Sequence, residues 1–250
     1  MKRRLSIGIV WLITFGAAGP LALAAEMPSL LMESGSGARA GLPAWVSLEE
    51  AFSADGTLRR EYFTEGERWG IEEGLPSILN DPQIGCTLIE EWDLNRPDMS
   101  EFATPRKAAR VAEAVGLFTV RDSAVGFQRG VPGTLFRAEA LSRYRGFAEL
   151  DGVYFFVPIA KYQVGDRKYC KVDRRYPELP TAGDEVLLMV PSKLDPQEML
   201  VDLVYETNLI IFRQAKHEVA LSTTTLQYEE RLRTADRDSI LAEVLAGVEQ

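Results

Sequence analysis

Between Leu117 and Pro191 the chain shows no helical period. Runs rich in Val, Phe, Tyr and Leu alternate there with Gly, Pro and Asp, the pattern of strands joined by turns. Strands are expected at Leu117–Arg121, Ala124–Gln128, Thr134–Leu141, Val153–Tyr162 and Glu185–Val190. Without helical crossovers between them, such strands pair antiparallel, most simply as a barrel or a sandwich. Tyr154-Phe155-Phe156-Val157 is apolar on both faces and is expected at the centre of the sheet. With 46% hydrophobic residues in a chain of 250, there is enough apolar material for a real core.

Helices flank this β region. Thr104 can cap a helix and Pro105 suits its first position, with Ala108, Val111, Ala112 and Val115 on one face and Gly116 as its end. Asp195-Pro196-Gln197-Glu198 is a second helix-start signature, and residues 199–206 read equally as helix or strand. Leu209–Arg213 and Glu218–Leu221 read as a strand pair. Asp236 is a candidate cap for a last helix, whose apolar stripe is Ile240, Leu241, Val244, Leu245 and Val248. The expected class is mainly β with flanking helices (α+β), an antiparallel OB-like barrel or sandwich with the C-terminal helix packed on it.

The N-terminus reads as an export address. Met1-Lys2-Arg3-Arg4 is a basic start, Leu5 to Ala25 carry no charge, and Ala22-Leu23-Ala24 is an A-x-A cleavage pattern. Cleavage is expected near Ala24 or Ala25, giving a periplasmic or secreted protein that meets the membrane only through this segment. Residues 26–44, with Ser34-Gly35-Ser36-Gly37, read as a flexible leader. Residues 45–102 read as an irregular N-terminal region carrying Trp45, Trp69 and Trp92, and 103–250 as the β domain. The chain holds 28 basic and 37 acidic residues, net -9. Losing Lys2, Arg3 and Arg4 takes this to 25 against 37, or -12. Such a surface disfavours nucleic acid and anionic headgroups.

Cys86 and Cys170 are the chain's two cysteines. In an oxidising compartment they suggest a disulfide, whose loop closure stabilises by about 4 kcal/mol on a chain-entropy model. The alternative is two separately buried thiols.

The stretch from about 115 to 213 carries Gly126-Phe127, Gly130-Val131-Pro132-Gly133-Thr134-Leu135, Arg145-Gly146 after a long strand, and Tyr154-Phe155-Phe156-Val157-Pro158. Gly165, Cys170 and Gly183-Asp184-Glu185-Val186-Leu187-Leu188 follow. This pattern resembles exported bacterial β-barrel proteins of no established function, and is similar to the netrin-like branch of OB-type barrels. The metalloprotease inhibitors of that branch use an N-terminal Cys-x-Cys wedge, which this sequence lacks, so inhibition does not carry over.

Several segments bear on chemistry. His217 is the single histidine and lies in a polar turn, Gln214–Glu218, with no G-x-S-x-G elbow anywhere. Glu90-Glu91-Trp92-Asp93 is the densest acidic and aromatic cluster; Glu90, Glu91 and Asp93 are the candidates for carboxylate acid–base catalysis beside a sugar-stacking tryptophan. The bland alternative is an exposed acidic turn. Gly126–Gly133 lacks the lysine and the following helix of a phosphate loop, and reads as a hairpin turn with Arg129 at its tip. Lys168-Tyr169-Cys170-Lys171-Val172-Asp173-Arg174-Arg175-Tyr176 is the one basic and aromatic stretch. Arginine and tyrosine are enriched at interface hot spots and suit carboxylates or glycans. Lys171, Arg174, Arg175, Tyr176 and Arg129 are therefore the candidate binding residues. No metal-ligand pattern, cofactor motif or glycosylation sequon is present. The sequence points to an exported binding module for an envelope protein or glycan, with an exported carboxylate-dependent hydrolase of polysaccharide or peptide as the alternative.

Overall fold

A computed structural model describes residues 42–74, 79–81, 86–88, 104–147, 151–164, 167–171, 179–191, 200–202, 208–213, 218–222 and 235–249. The fold is built on a long hairpin. Strand β4 (Ala114–Gln128) and strand β5 (Val131–Arg145) pair antiparallel along almost their whole length. The turn between them has two residues, Arg129 at φ 47 and Gly130 at φ 78. Positive φ at both positions is the type I′ geometry that matches strand twist. The hairpin turn expected at this glycine-rich segment is present.

Further strands add to both edges. Strand β6 (Gly152–Val157) pairs with β5, and the short β10 (Leu200–Asp202) pairs with β6 in parallel. On the other side of β4, β9 (Glu185–Val190) takes Ala114–Thr119, and β1 (Trp45–Ser47) takes Gly126–Gln128. Strand β11 (Asn208–Arg213) pairs with β9, and β12 (Glu218–Ser222) pairs with β11. The sheet therefore runs β10-β6-β5-β4-β9-β11-β12, with β1 beside β4. It is mainly antiparallel, as expected, but its end strands do not meet. Of the barrel or sandwich expected, the barrel is thus corrected: the sheet stays open. A second sheet holds β2 (Leu79–Asp81), β3 (Cys86–Leu88), β8 (Arg167–Lys171) and β7 (Ala160–Val164), in the order β2-β3-β8-β7.

Three local expectations change for physical reasons. The two strands read at 117–121 and 124–128 are one continuous β4. The polar break between them is a register shift between Val120 and Asp122 that leaves Arg121 as the extra residue. Residues 153–162 divide at Pro158 into β6 and β7, which belong to different sheets. Strand β6 is next to the sheet's end rather than at its centre. Its apolar residues are buried on both faces, because Phe155 enters one core cluster while Tyr154 and Phe156 enter another.

Helix α1 is Leu48–Ala51, α2 is Glu65–Gly74, α3 is Pro105–Val111 and α4 is Arg237–Val248. Thr104 caps α3, its hydroxyl accepting from Lys107 N at 3.2 Å, with Pro105 following. Helix α3 ends at Val111, earlier than its pattern implied, because Val115 and Gly116 are drawn into β4 pairing with β9 and β5. Asp236 caps α4, accepting from Ser239 N at 2.8 Å. Ile240 and Val244 of α4 and Ala108 and Ala109 of α3 bury against Val115, Leu117, Leu187, Met189, Ile210 and Phe212. The helices thus cover one face of the sheet. On the other face Phe118, Phe136, Phe147, Phe155, Leu188 and Ile211 form the largest cluster, with Phe136 stacked on Phe155 at 4.9 Å.

Arg145, the last residue of β5, joins helices to sheet. Its Nη1 donates to the carbonyls of Ala109 and Arg110 at 3.2 Å and of Ala112 at 3.0 Å, and its Nη2 donates to Val248 O. Those carbonyls are the unsatisfied C-terminal groups of α3 and α4, where a cation also opposes the helix dipole. Arg145→Ala is expected to lower unfolding free energy by about 2 kcal/mol, since its charge-assisted bonds to helix-end carbonyls are lost. Urea denaturation checks this; an unchanged midpoint would remove Arg145 as the joint.

Gln128, 4% exposed at the end of β4, has a buried Oε1 with no hydrogen-bond partner. Gln128→Met keeps the volume and removes the unpaired acceptor, so a gain of about 1 kcal/mol is expected in thermal unfolding.

Candidate functional site

The described N-terminal module, 42–74, is held to the end of the hairpin by an aromatic hub. Phe127 of β4 meets Phe52 at 5.8 Å, Phe63 at 5.8 Å and Tyr162 of β7 at 6.0 Å, each edge to face. Ser47 starts α1 with a capping box: Glu50 N donates to Ser47 Oγ at 3.3 Å, and Ser47 N donates to Glu50 Oε2 at 3.0 Å. Thr64 and Glu67 repeat the device at α2, with Glu67 N to Thr64 Oγ1 at 3.3 Å and Thr64 N to Glu67 Oε2 at 2.9 Å. Ile71 of α2 is buried in the hub cluster, whereas Trp69 stands 68% exposed. Gly66 and Gly70 beside it have open space where a side chain would be, so the indole is not shielded by them.

An open groove of about 420 Å³ lies between this module and the end of β7. Leu48, Phe52 and Val164 supply its apolar lining, and Glu49, Arg59 and Gln163 its polar groups. One wall is the turn Ser53–Thr57. There Asp55 Oδ1 accepts from Ser53 Oγ at 2.5 Å and from Thr57 N at 3.1 Å. These bonds, the serine's first, hold the Asp55 carboxyl below its ordinary value.

A second open groove, about 380 Å³, lies along β5 and β6 and is lined by Arg137, Glu139, Arg143, Asp151 and Tyr154, among others. Its charges are matched internally. Arg137 binds Asp122 Oδ2 at 2.7 Å, Arg143 binds Asp151 at 3.0 Å, and Arg121 binds Glu139 at 2.7 Å. Exposed pairs of this kind add little stability each.

Of the residues picked from sequence, Arg129 is exposed at the tip of the β4–β5 hairpin. Lys171 closes β8, in register with Ala160 of β7. The two belong to different sheets. Arg174, Arg175 and Tyr176 lie outside the described residues, as do His217 and the acidic candidates Glu90, Glu91 and Asp93. Cys86 and Cys170 fall on β3 and β8, which are neighbours. Among the described residues no group of three or more His, Cys, Asp or Glu side chains is placed to hold a metal ion.

The groove and the bare face of α2 were not singled out from sequence. The groove joins residues 48–59 to 163–164, which only tertiary structure brings together. Helix α2 did carry a local signal, Thr64-x-x-Glu67 ahead of Trp69 flanked by glycines. No protein-family model and no curated protein matches this chain.

The pH dependence of the Asp55 turn has a fixed sign. A depressed carboxyl contributes stability above its ordinary value of 3.8 and loses it as pH falls through the folded-state value. Asp55→Ala is therefore expected to melt below the parent protein at pH 7, with the gap closing below pH 3.8. Melting curves across pH check this; a gap independent of pH would show that the turn does not need the charge.

Proposed function

We propose that the protein is an exported binding module of the cell envelope that recognises a protein or glycan. Its candidate surfaces are the groove at Phe52 and Arg59 and, from the sequence, the basic stretch Lys168–Tyr176. The observation that carries this reading is the β7–β8 register. Gln163 and Val164, which line the groove, stand opposite Lys168 and Arg167. The groove wall is thereby paired with the first two residues of the basic strand β8. A groove carrying Glu49, Arg59 and Gln163, with Arg167 and Lys168 in register beside it, suits carboxylate-bearing partners. In a chain of net -9 this concentration of cations is local, so it favours acidic patches on a partner over nucleic acid. The basic start and the A-x-A pattern before Glu26 support export and cleavage. The OB-type resemblance over 115–213 belongs to the same proposal.

In-cell crosslinking of the tagged full chain, read by mass spectrometry, tests the surface. One dominant partner is expected, with capture reduced at least about tenfold by Arg174→Glu together with Arg175→Glu. Capture unaffected by that pair would reject this surface.

A further inference from the structure

We propose that Cys86 and Cys170 form a disulfide, and that closing it slides β3 along β8 by two residues. The chain's only two cysteines, far apart in sequence, fall on adjacent strands of the small sheet. The present register sets Thr87 opposite Tyr169 and Leu88 opposite Cys170, so Cys86 is two residues out of step with Cys170. With strands about 4.8 Å apart and a rise of about 3.3 Å per residue, that diagonal puts the two Cα atoms roughly 8 Å apart. A disulfide spans about 4.4–6.8 Å between Cα atoms.

A two-residue slide sets Cys86 opposite Cys170 at about the strand spacing, within that range. Because the strand period is two, every residue keeps its face of the sheet. Parallel ladders have evenly spaced bonds, so the slid pair regains them one repeat along. The β3–β8 ladder has only two register pairs, whereas β8 holds β7 through five. The slide therefore disturbs the weaker seam and leaves β7–β8 intact.

The chemistry is ordinary thiol–disulfide exchange. One cysteine thiolate attacks a small-molecule disulfide such as oxidised glutathione, and the second displaces the glutathione from the mixed disulfide. Two protein thiols are oxidised to one S–S bond as the glutathione disulfide is reduced to two thiols. The proposal does not rest on the binding reading.

The test uses the full chain, fully reduced and then incubated with oxidised glutathione. Thiols are alkylated under denaturing conditions, and the unreduced protein is mapped by peptide mass spectrometry. Alkylatable thiols are expected to fall from two to none, with the Cys86 and Cys170 peptides joined in a monomer. The register of β3 on β8 holds the pair too far apart, so that linkage requires the β3–β8 seam to shift. Two remaining thiols, stable glutathione adducts, or a bond between two chains would each overturn the proposal.

Discussion

Strand β4 is the constraint on which the described fold depends. It pairs with β5 along its length, with β9 through its first half and with β1 at its end. It also feeds all four apolar clusters. Phe118 and Val120 enter the largest, Val115 and Leu117 the helix-covered one, Phe127 the aromatic hub, and Ala124 the Trp45 cluster. One strand serves so many layers because it is long and changes register at Arg121. A bulge re-aims the residues that follow it and adds local twist, so the two halves of β4 face different partners.

Two contacts show how closely the layers approach. Gly126 and Gly133 are register partners. A methyl group on Gly126 would sit 2.6 Å from the Trp45 ring, and one on Gly133 would sit 2.2 Å from Phe156. The paired glycines make a shallow seat in which Trp45 and Phe156 meet edge to face at 6.0 Å. At the entry to β9, Asp184 is 4% exposed and accepts from Thr181 N at 2.8 Å and from Arg213 Nη1 at 3.3 Å. That carboxylate joins a turn to a strand two places along in the sequence order, much as Arg145 joins two helices to β5. Single charged side chains, each satisfied by several partners, hold elements that apolar packing alone would leave free to shift.

What could be read in advance follows the range of the forces involved. The hairpin turn, the Thr104 and Asp236 caps, and the strand Glu185–Val190 depend on neighbouring residues, and they stand where the sequence put them. The end of α3 depends on β9 and β5 competing for Val115 and Gly116, which no local pattern announces. The parallel pairing of β10 with β6 and the open ends of the sheet are long-range outcomes of the same kind. The groove was hidden for that reason, since its two walls lie more than a hundred residues apart. The basic stretch was visible as composition, but that Arg167 and Lys168 stand opposite the groove residues Val164 and Gln163 needed the β7–β8 register.

The two-residue turn also sets an order of assembly. Closing a loop across Arg129 and Gly130 fixes few residues before the first cross-strand contact forms, so this hairpin has the lowest entropic threshold of the large pairings. Strands β1, β6 and β9 then add to edges that already exist, whereas β10 and the α3–α4 layer must wait for segments distant in sequence. During synthesis the ribosome releases β4 and β5 well before β11, β12 and α4. A nascent chain therefore passes through a stage in which one face of the hairpin, Val115 and Leu117 included, lacks the cover of α4. The chain must avoid self-association through that stage, and chaperones that shield exposed strand faces would act there.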